Sequence, residues 1–399
     1  MPARISPEEL GRFLPETGLC WIGGCSGESG AFREGLSGLS RPGLTFTSIF
    51  VPGLNRAGYL LETGAKVTTF FMLPEFIGQA RVEFLPLPYR EIRLWLARNP
   101  PSAMLVMVSP PDAEGMCSLG PVTDFAADIL SGCETVIGHV NPLMPATRGT
   151  PGIPHDRFAA VIETPQELGT QDPGSDPVAE AIARHAAALI PDGATLQAGI
   201  GRIPEAVLRG LTAKRDLAIH SGLIGDSTLH LLDAGALRAD SPITAGVAIG
   251  TRALYDAVSR PAFGFHPPSV THDLARLAAI RGLVTINSAI EVDLDGQVRA
   301  EATPKGPISG PGGASDFAAG ARGDGGLRII ALPASAARGA VSRIVRVADA
   351  CGPVSLGRFD TDVVVTEHGA ADLRCLSPDA RRAALIAIAA PEHRAALSL

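Results

Sequence analysis

Residues 193–211 read GATLQAGIGRIPEAVLRGL. A short apolar run (Ala194–Ala198) gives way to a Gly-x-Gly turn (Gly199, Ile200, Gly201). A stretch with apolar residues at helical spacing follows, with Pro204 near its start, where a missing N–H costs nothing. Residues 18–32, GLCWIGGCSGESGAF, repeat the order of strand, glycines and helix. From each of these points outward the chain alternates in the same way. SAMLVMVS (102–109), TVIGHV (135–140), LRIIALP (327–333) and TDVVVTEHG (361–369) are unbroken apolar runs. TDFAADILSG (123–132) and VAEAIARHAAALI (178–190) have helical spacing. Strands without polar alternation are buried on both faces, which is the signature of parallel sheets covered by helices. The expected fold is α/β, with two related open domains of mainly parallel sheet. Ligands should sit at the carboxyl ends of the strands. The stretch ETPQELGTQDPGSDP (163–177) is dense in turn formers. It places the domain boundary near residue 175, giving domains 1–175 and 176–399.

A chain of 399 residues with 46% hydrophobic side chains can bury two cores. The 45 glycines and 33 prolines point to many tight turns. A net charge of −7, with no Lys/Arg run and few aromatics, argues against nucleic acid as a partner. The six cysteines (20, 25, 117, 133, 351, 375) show no metal-ligand spacing, so no metal site is expected and a reducing cytoplasm suits them. The start MPARISPEELGRFL lacks an apolar signal core, and no run of 18 apolar residues occurs. Neither a signal peptide nor a membrane span is therefore expected.

Several segments could carry chemistry. Amides at the start of the helix after Gly201 could bind a phosphate or a thioester oxygen; a plain tight turn reads equally well. The segment TPKGPISGPGGASDFAAGARGDGG (303–326) either is a flexible loop or brings backbone close to a ligand. INSAIEVDLDGQVRAE (286–301) reads as a hairpin around Asp295-Gly296. Its carboxylates, Glu291 among them, are catalytic candidates or one face of a strand. Cys25, near an expected helix start, would have a lowered pKa and is a fallback nucleophile. His220 lies in LAIHSGLIGD (217–226), a strand that ends on Ser221 and Gly222. It could be a general base or a structural histidine.

In order, VSPPDAEGMCSLG (108–120), VNPLMPATRG (140–149), DGATLQAGIGRIPEAVL (192–208), INSAIEVDLDGQV (286–298), SGPGGASDF (309–317), IIALPASA (329–336) and VVVTEHGAADLR (363–374) resemble segments of the acetyl-CoA hydrolase/transferase family, which includes 4-hydroxybutyrate CoA-transferase. The resemblance implies two α/β domains of the CoA-transferase type, with the active site in the cleft between them. Coenzyme A, as an acyl-CoA substrate, would be held by Gly199, Ile200, Gly201, Arg202 and Ile203. Ser309, Gly310, Gly312, Gly313 and Arg338 would complete that site. It also implies small-molecule partners and a homodimer or other homo-oligomer, with no membrane partner.

The family nucleophile is a glutamate that passes through an acyl anhydride and a glutamyl thioester. The resemblance puts it at Gly222. Other departures are Ala314, where relatives usually have Gln, and Tyr89-Arg90, where Ser-Glu often stands. Three functions follow. Acyl transfer could go directly from CoA to an amine, hydroxyl, thiol or water that occupies the space left by Gly222, with His220 as base. A true CoA-transferase could recruit another carboxylate, from Glu28, Glu75, Glu291 or Glu301. Or the protein could bind CoA without turnover. Direct transfer is the favoured expectation.

Overall fold

The computed structural model describes residues 1–172, 174–199 and 201–398. The chain forms two units. One comprises Met1–Gln171 and Thr244–Thr271, the other Asp172–Ile243 and His272–Leu399.

The first unit is built on an eight-stranded sheet whose neighbouring strands all run parallel. Its centre holds Thr17–Ile22, Ala103–Val108 and Thr135–Val140. Ala103–Val108 is buried along its whole length, because helices and turns cover both faces and leave no position for a polar residue. The core gathers Phe32, Phe46, Phe50 and Phe76 with Leu36, Leu60 and Leu105.

The second unit contains the run Gly369–Asp372, Val363–Thr366, Leu327–Ala331, Leu283–Ser288, Thr195–Ala198 and Ala218–Ile224. All these neighbours are parallel except the first pair, which forms an antiparallel hairpin. The helix Pro177–Leu189 starts where the sequence sets it. The Asp176 side chain accepts the Val178 amide, and Pro177 takes the first helical position. The hairpin read at 286–301 forms, with Glu291 opposite Arg299. Asp293 is fully buried there and pairs with Arg299 at 2.8 Å. It also accepts the Asp295 and Gln297 amides. It is a structural ion pair, not part of a solvated strand face.

A single cut near residue 175 does not describe the second passage of the chain through the first unit. The segment Thr244–Thr271 is tied there by polar contacts. Ser26 Oγ donates to the Ala248 carbonyl at 2.7 Å. The Tyr255 hydroxyl donates to the Gly169 carbonyl. Asp128 accepts from the Ser269 amide at 3.1 Å and from its hydroxyl.

Beside this sheet, Asp124 is 4% exposed and sits at φ +36°, with its Oδ1 buried and unpartnered among the described residues. Burial pushes its carboxyl pKa up to about 8 from 3.8, the Phe125 amide opposing this in part. The folded state therefore holds a proton that the unfolded chain loses above about pH 4. Stability falls as pH rises through that window, by up to about 1.4 kcal/mol per pH unit for this one group. Urea unfolding of wild type and Asp124→Asn between pH 5 and pH 8 should show the variant gaining on wild type as pH rises. A difference independent of pH would contradict this assignment.

Candidate active site around Gly222

The strand Ala218–Ile224 begins in register with its neighbour, Ala218 beside Thr195 and Ile219 beside Leu196. Its side chains alternate. Ile219, Ser221 and Leu223 face a small cavity of about 10 Å³, shared with Leu196, Ala198, Glu205 and Thr228. The Ser221 hydroxyl lies within hydrogen-bond reach of the Ala198 and Leu223 carbonyls. Glu205 accepts the Ser227 amide at 3.0 Å, at the start of the helix Asp226–Asp233. Burial raises the Glu205 pKa.

His220 and Gly222 fall in the alternate positions and are both half-buried. Beside Gly222 the space is not open. A Cβ placed there would lie 2.6 Å from His272 Cε1, 2.8 Å from His272 Nε2 and 3.7 Å from Phe317 Cε2. The expectation of a vacated volume ready for an acceptor is therefore corrected: an imidazole fills it. The same ring blocks Gly313, where a Cβ would meet His272 Nε2 and lie 2.7 Å from Cδ2. Only residues without side chains at both positions leave room for the ring. Phe317 closes the arrangement, with its centroid 4.7 Å from that of His272 at an interplanar angle of 57°.

His272 is 4% exposed. Burial first, and the neighbouring His220 second, bring its pKa down to about 3. It is a neutral imidazole throughout the physiological range.

The glycine segment supplies the other wall. Gly310 is buried, Gly312 turns at φ +60°, and Gly313 caps the helix Ala314–Gly320. The Ser309 amide donates to the Glu301 carbonyl at 3.2 Å. The structure thus brings Gly222, His220 and Gly313 together around a residue that carried no motif, His272.

The turn after Thr195–Ala198 is placed differently from a row of free amides. The Gly199 amide is already engaged with the Ile286 carbonyl at 2.9 Å. Gly201 turns at φ +112°, which favours glycine, and precedes the helix Arg202–Arg209. Arg202 is exposed, 3.7 Å from the Asp176 carboxylate, and Ile203 is half-buried. Ile200 lies outside the described residues. Arg338 is exposed in the turn between Ser335–Ala336 and Val341–Ser342, at φ +57°.

The four alternative carboxylates are each held by the fold. Glu28 accepts from Asn55 Nδ2 and the Arg56 amide, and Glu75 accepts the Ala57 amide. Glu291 accepts the Cys351 amide, and Glu301 accepts the Ser355 hydroxyl at 2.6 Å. Cys25 is also corrected. It is 2% exposed, its thiol is directed at the Ile49 carbonyl, and burial raises its pKa well above the usual thiol value. A short 3-10 turn at Cys25–Gly27, rather than a helix start, follows Gly24. Among the described residues no group of His, Cys, Asp and Glu side chains could hold a metal ion. No helix is long and apolar enough to cross a membrane.

The fold defines a protein of the CoA-transferase class. It superposes on the crystal structure of RipA from Yersinia pestis with a TM-score of 0.91 and 27% sequence identity, covering 99% of this chain and 96% of that one. A family profile described as the acetyl-CoA hydrolase/transferase C-terminal domain matches residues 250–399. The 4-hydroxybutyrate coenzyme A transferase of Clostridium kluyveri is 36% identical over 80% of this chain and 77% of its own. The succinyl-CoA:cyclohexane-1-carboxylate CoA transferase of Geobacter metallireducens is 32% identical over 85% and 82%. The chain belongs to the acetyl-CoA hydrolase/transferase family, whose members act on CoA thioesters.

The packing around the ring can be tested. Gly222→Ala forces a methyl group against an imidazole that Gly313 and Phe317 keep from moving aside. It should cost about 1–3 kcal/mol in urea unfolding. In a His272→Gly background the same substitution should cost less than about 0.5 kcal/mol, as expected for coupled neighbours. Equal penalties in both backgrounds would show that the ring is not lodged there.

Proposed function

We propose that this protein is an acyl-CoA-dependent enzyme that passes the acyl group from CoA directly to a small nucleophile, without a glutamyl intermediate. The observation that carries this reading is the occupation of the side-chain space at Gly222 by His272. The resemblance places the family glutamate at this position. In this chain a side chain there would run into the ring.

Transfer of CoA between carboxylates requires an enzyme carboxylate to attack the thioester and later carry the CoA. The hydrogen bonds of Glu28, Glu75, Glu291 and Glu301 speak against a simple replacement. Without such a carboxylate, the attacking group must come from water or from a bound hydroxyl or amine. Coenzyme A would be cradled by the turn at Gly199–Gly201, with Arg202 and Ile203, and by the loop from Ser309 to Gly313. Backbone amides of that loop would face the thioester oxygen. A donor aimed at the developing oxyanion contributes about 3 kcal/mol. Arg338 would serve as an outer basic contact. The reading keeps the expectation of a cytoplasmic homo-oligomer acting on small molecules.

The test offers acetyl-, butyryl- and 4-hydroxybutyryl-CoA to the enzyme with and without labelled free acetate. The expected outcome is release of CoA thiol that does not need acetate and gives no labelled acetyl-CoA. Borohydride should trap no glutamyl-CoA adduct by mass. Gly222→Glu should not install exchange by itself, because the new side chain meets the imidazole. Acetate-dependent exchange by the wild type, together with a trapped adduct on any carboxylate, would overturn the proposal.

A further inference from the structure

We propose that the first unit carries a second ligand site, which takes an apolar α-amino acid: Arg93 binds its carboxylate and Asp128 its ammonium. The site uses none of the groups assigned to acyl transfer and goes beyond that reading.

Two helical segments build the pocket. On the helix Tyr89–Arg98, Arg93, Leu96 and Ala97 are spaced so that they share one face. Across from them stand Phe125, Asp128 and Ile129, around the short helix Ala126–Ile129. Together they line a cavity of about 270 Å³. This is just below the roughly 300–1,000 Å³ of ordinary small-molecule sites, and it suits a ligand of amino-acid size. The aromatic wall is already in place. Phe125 is fully buried, its centroid 5.3 Å from that of Tyr89 at an interplanar angle of 31° and 6.0 Å from that of Trp21. A wall fixed beforehand costs no ordering when the ligand arrives.

The charges select the ligand. Asp128 accepts the Ser269 amide on one carboxylate oxygen and the Ser269 hydroxyl on the other. Each oxygen keeps a lone pair for a further donor. Burial raises the Asp128 pKa, while the Ser269 donors and the charge of Arg93 act the other way. Arg93 is thus near enough to be felt by Asp128, yet the two do not close an ion pair. Among the described residues the exposed Arg93 guanidinium has no hydrogen-bond partner. Its planar fork is open to a carboxylate, which it can hold by two parallel bonds.

An anion drawn to Arg93 would be repelled by Asp128, and a cation drawn to Asp128 would be repelled by Arg93. A zwitterion set between them meets an opposite charge at each end. Its apolar body then rests on Leu96, Phe125 and Ile129. An α-amino acid with an apolar side chain has this combination of charges and bulk.

The experiment titrates the full-length protein calorimetrically with L-leucine and with L-phenylalanine. Saturable binding is expected, with a Kd of about 1 mM or below. Isocaproate, which is leucine without its ammonium, and isoamylamine, leucine without its carboxylate, should each bind at least about tenfold more weakly. Arg93→Gln should weaken leucine binding by a similar factor while keeping the wild-type thermal transition. Ala97→Trp fills the cavity without touching either charge and should abolish binding, again with the thermal transition retained. No saturable heat from either amino acid would overturn the proposal. So would isocaproate binding as tightly as leucine, or Arg93→Gln binding like wild type. A change of oligomeric state in Ala97→Trp, seen by sedimentation, would also overturn it, by marking this face as a contact between copies of the chain.

Discussion

One steric constraint organises the candidate site: an imidazole lodged between two glycines and a phenylalanine. Gly222 comes from a strand, Gly313 from the cap of a helix, and Phe317 from that helix one turn further on. Gly222 lies far along the chain from Gly313 and Phe317, and His272 is the point where they meet. A side chain at either glycine would push the ring out; a smaller residue at 272 would leave a void of about ring size. The three positions are therefore coupled and should be read as one unit. The ring's chemistry follows from the same packing. Surroundings close enough to exclude water disfavour the charged form, so a group that ordinarily titrates near neutrality stays uncharged here.

Much of the architecture was legible in the chain. Ala103–Val108, Thr135–Val140, Leu327–Ala331 and Val363–Thr366 each lie within an apolar run, because strands buried on both faces leave no polar alternation to obscure them. The helix Pro177–Leu189 was readable from the apolar spacing of 178–190; its cap at Asp176 was supplied by the structure. The hairpin at Glu291 was readable from its Asp-Gly turn, but the burial of Asp293 was not. Its partner Arg299 lies six residues on, and nothing local distinguishes a buried ion pair from an exposed one.

The site was legible in part. The strand end at Gly222 and the glycines of 309–313 could be found from the order of segments. His272 could not, since it sits 50 residues beyond Gly222 in a stretch with no pattern. A usable signal was the coincidence of an unexpected glycine at a strand tip with a glycine-rich loop, which together ask what fills the gap. Cys25 failed for a related reason. A thiol beside a helix start gains from the local dipole only while it remains accessible. Here a single 3-10 turn and complete burial reverse the sign, because desolvation outweighs the few oriented amides.

The passage of Thr244–Thr271 through the first unit has a consequence for biogenesis. A polypeptide emerging from the ribosome has made the whole eight-stranded sheet by residue 163. Yet it still lacks the partners of Ser26, Gly169 and Asp128, which arrive about a hundred residues later. By then only the first stretch of the second unit, Asp172–Ile243, has been synthesised. The nascent amino-terminal unit must wait, partly unsealed, for a late-arriving piece of itself. A gene fragment ending near codon 171 would encode a sheet permanently short of that seal.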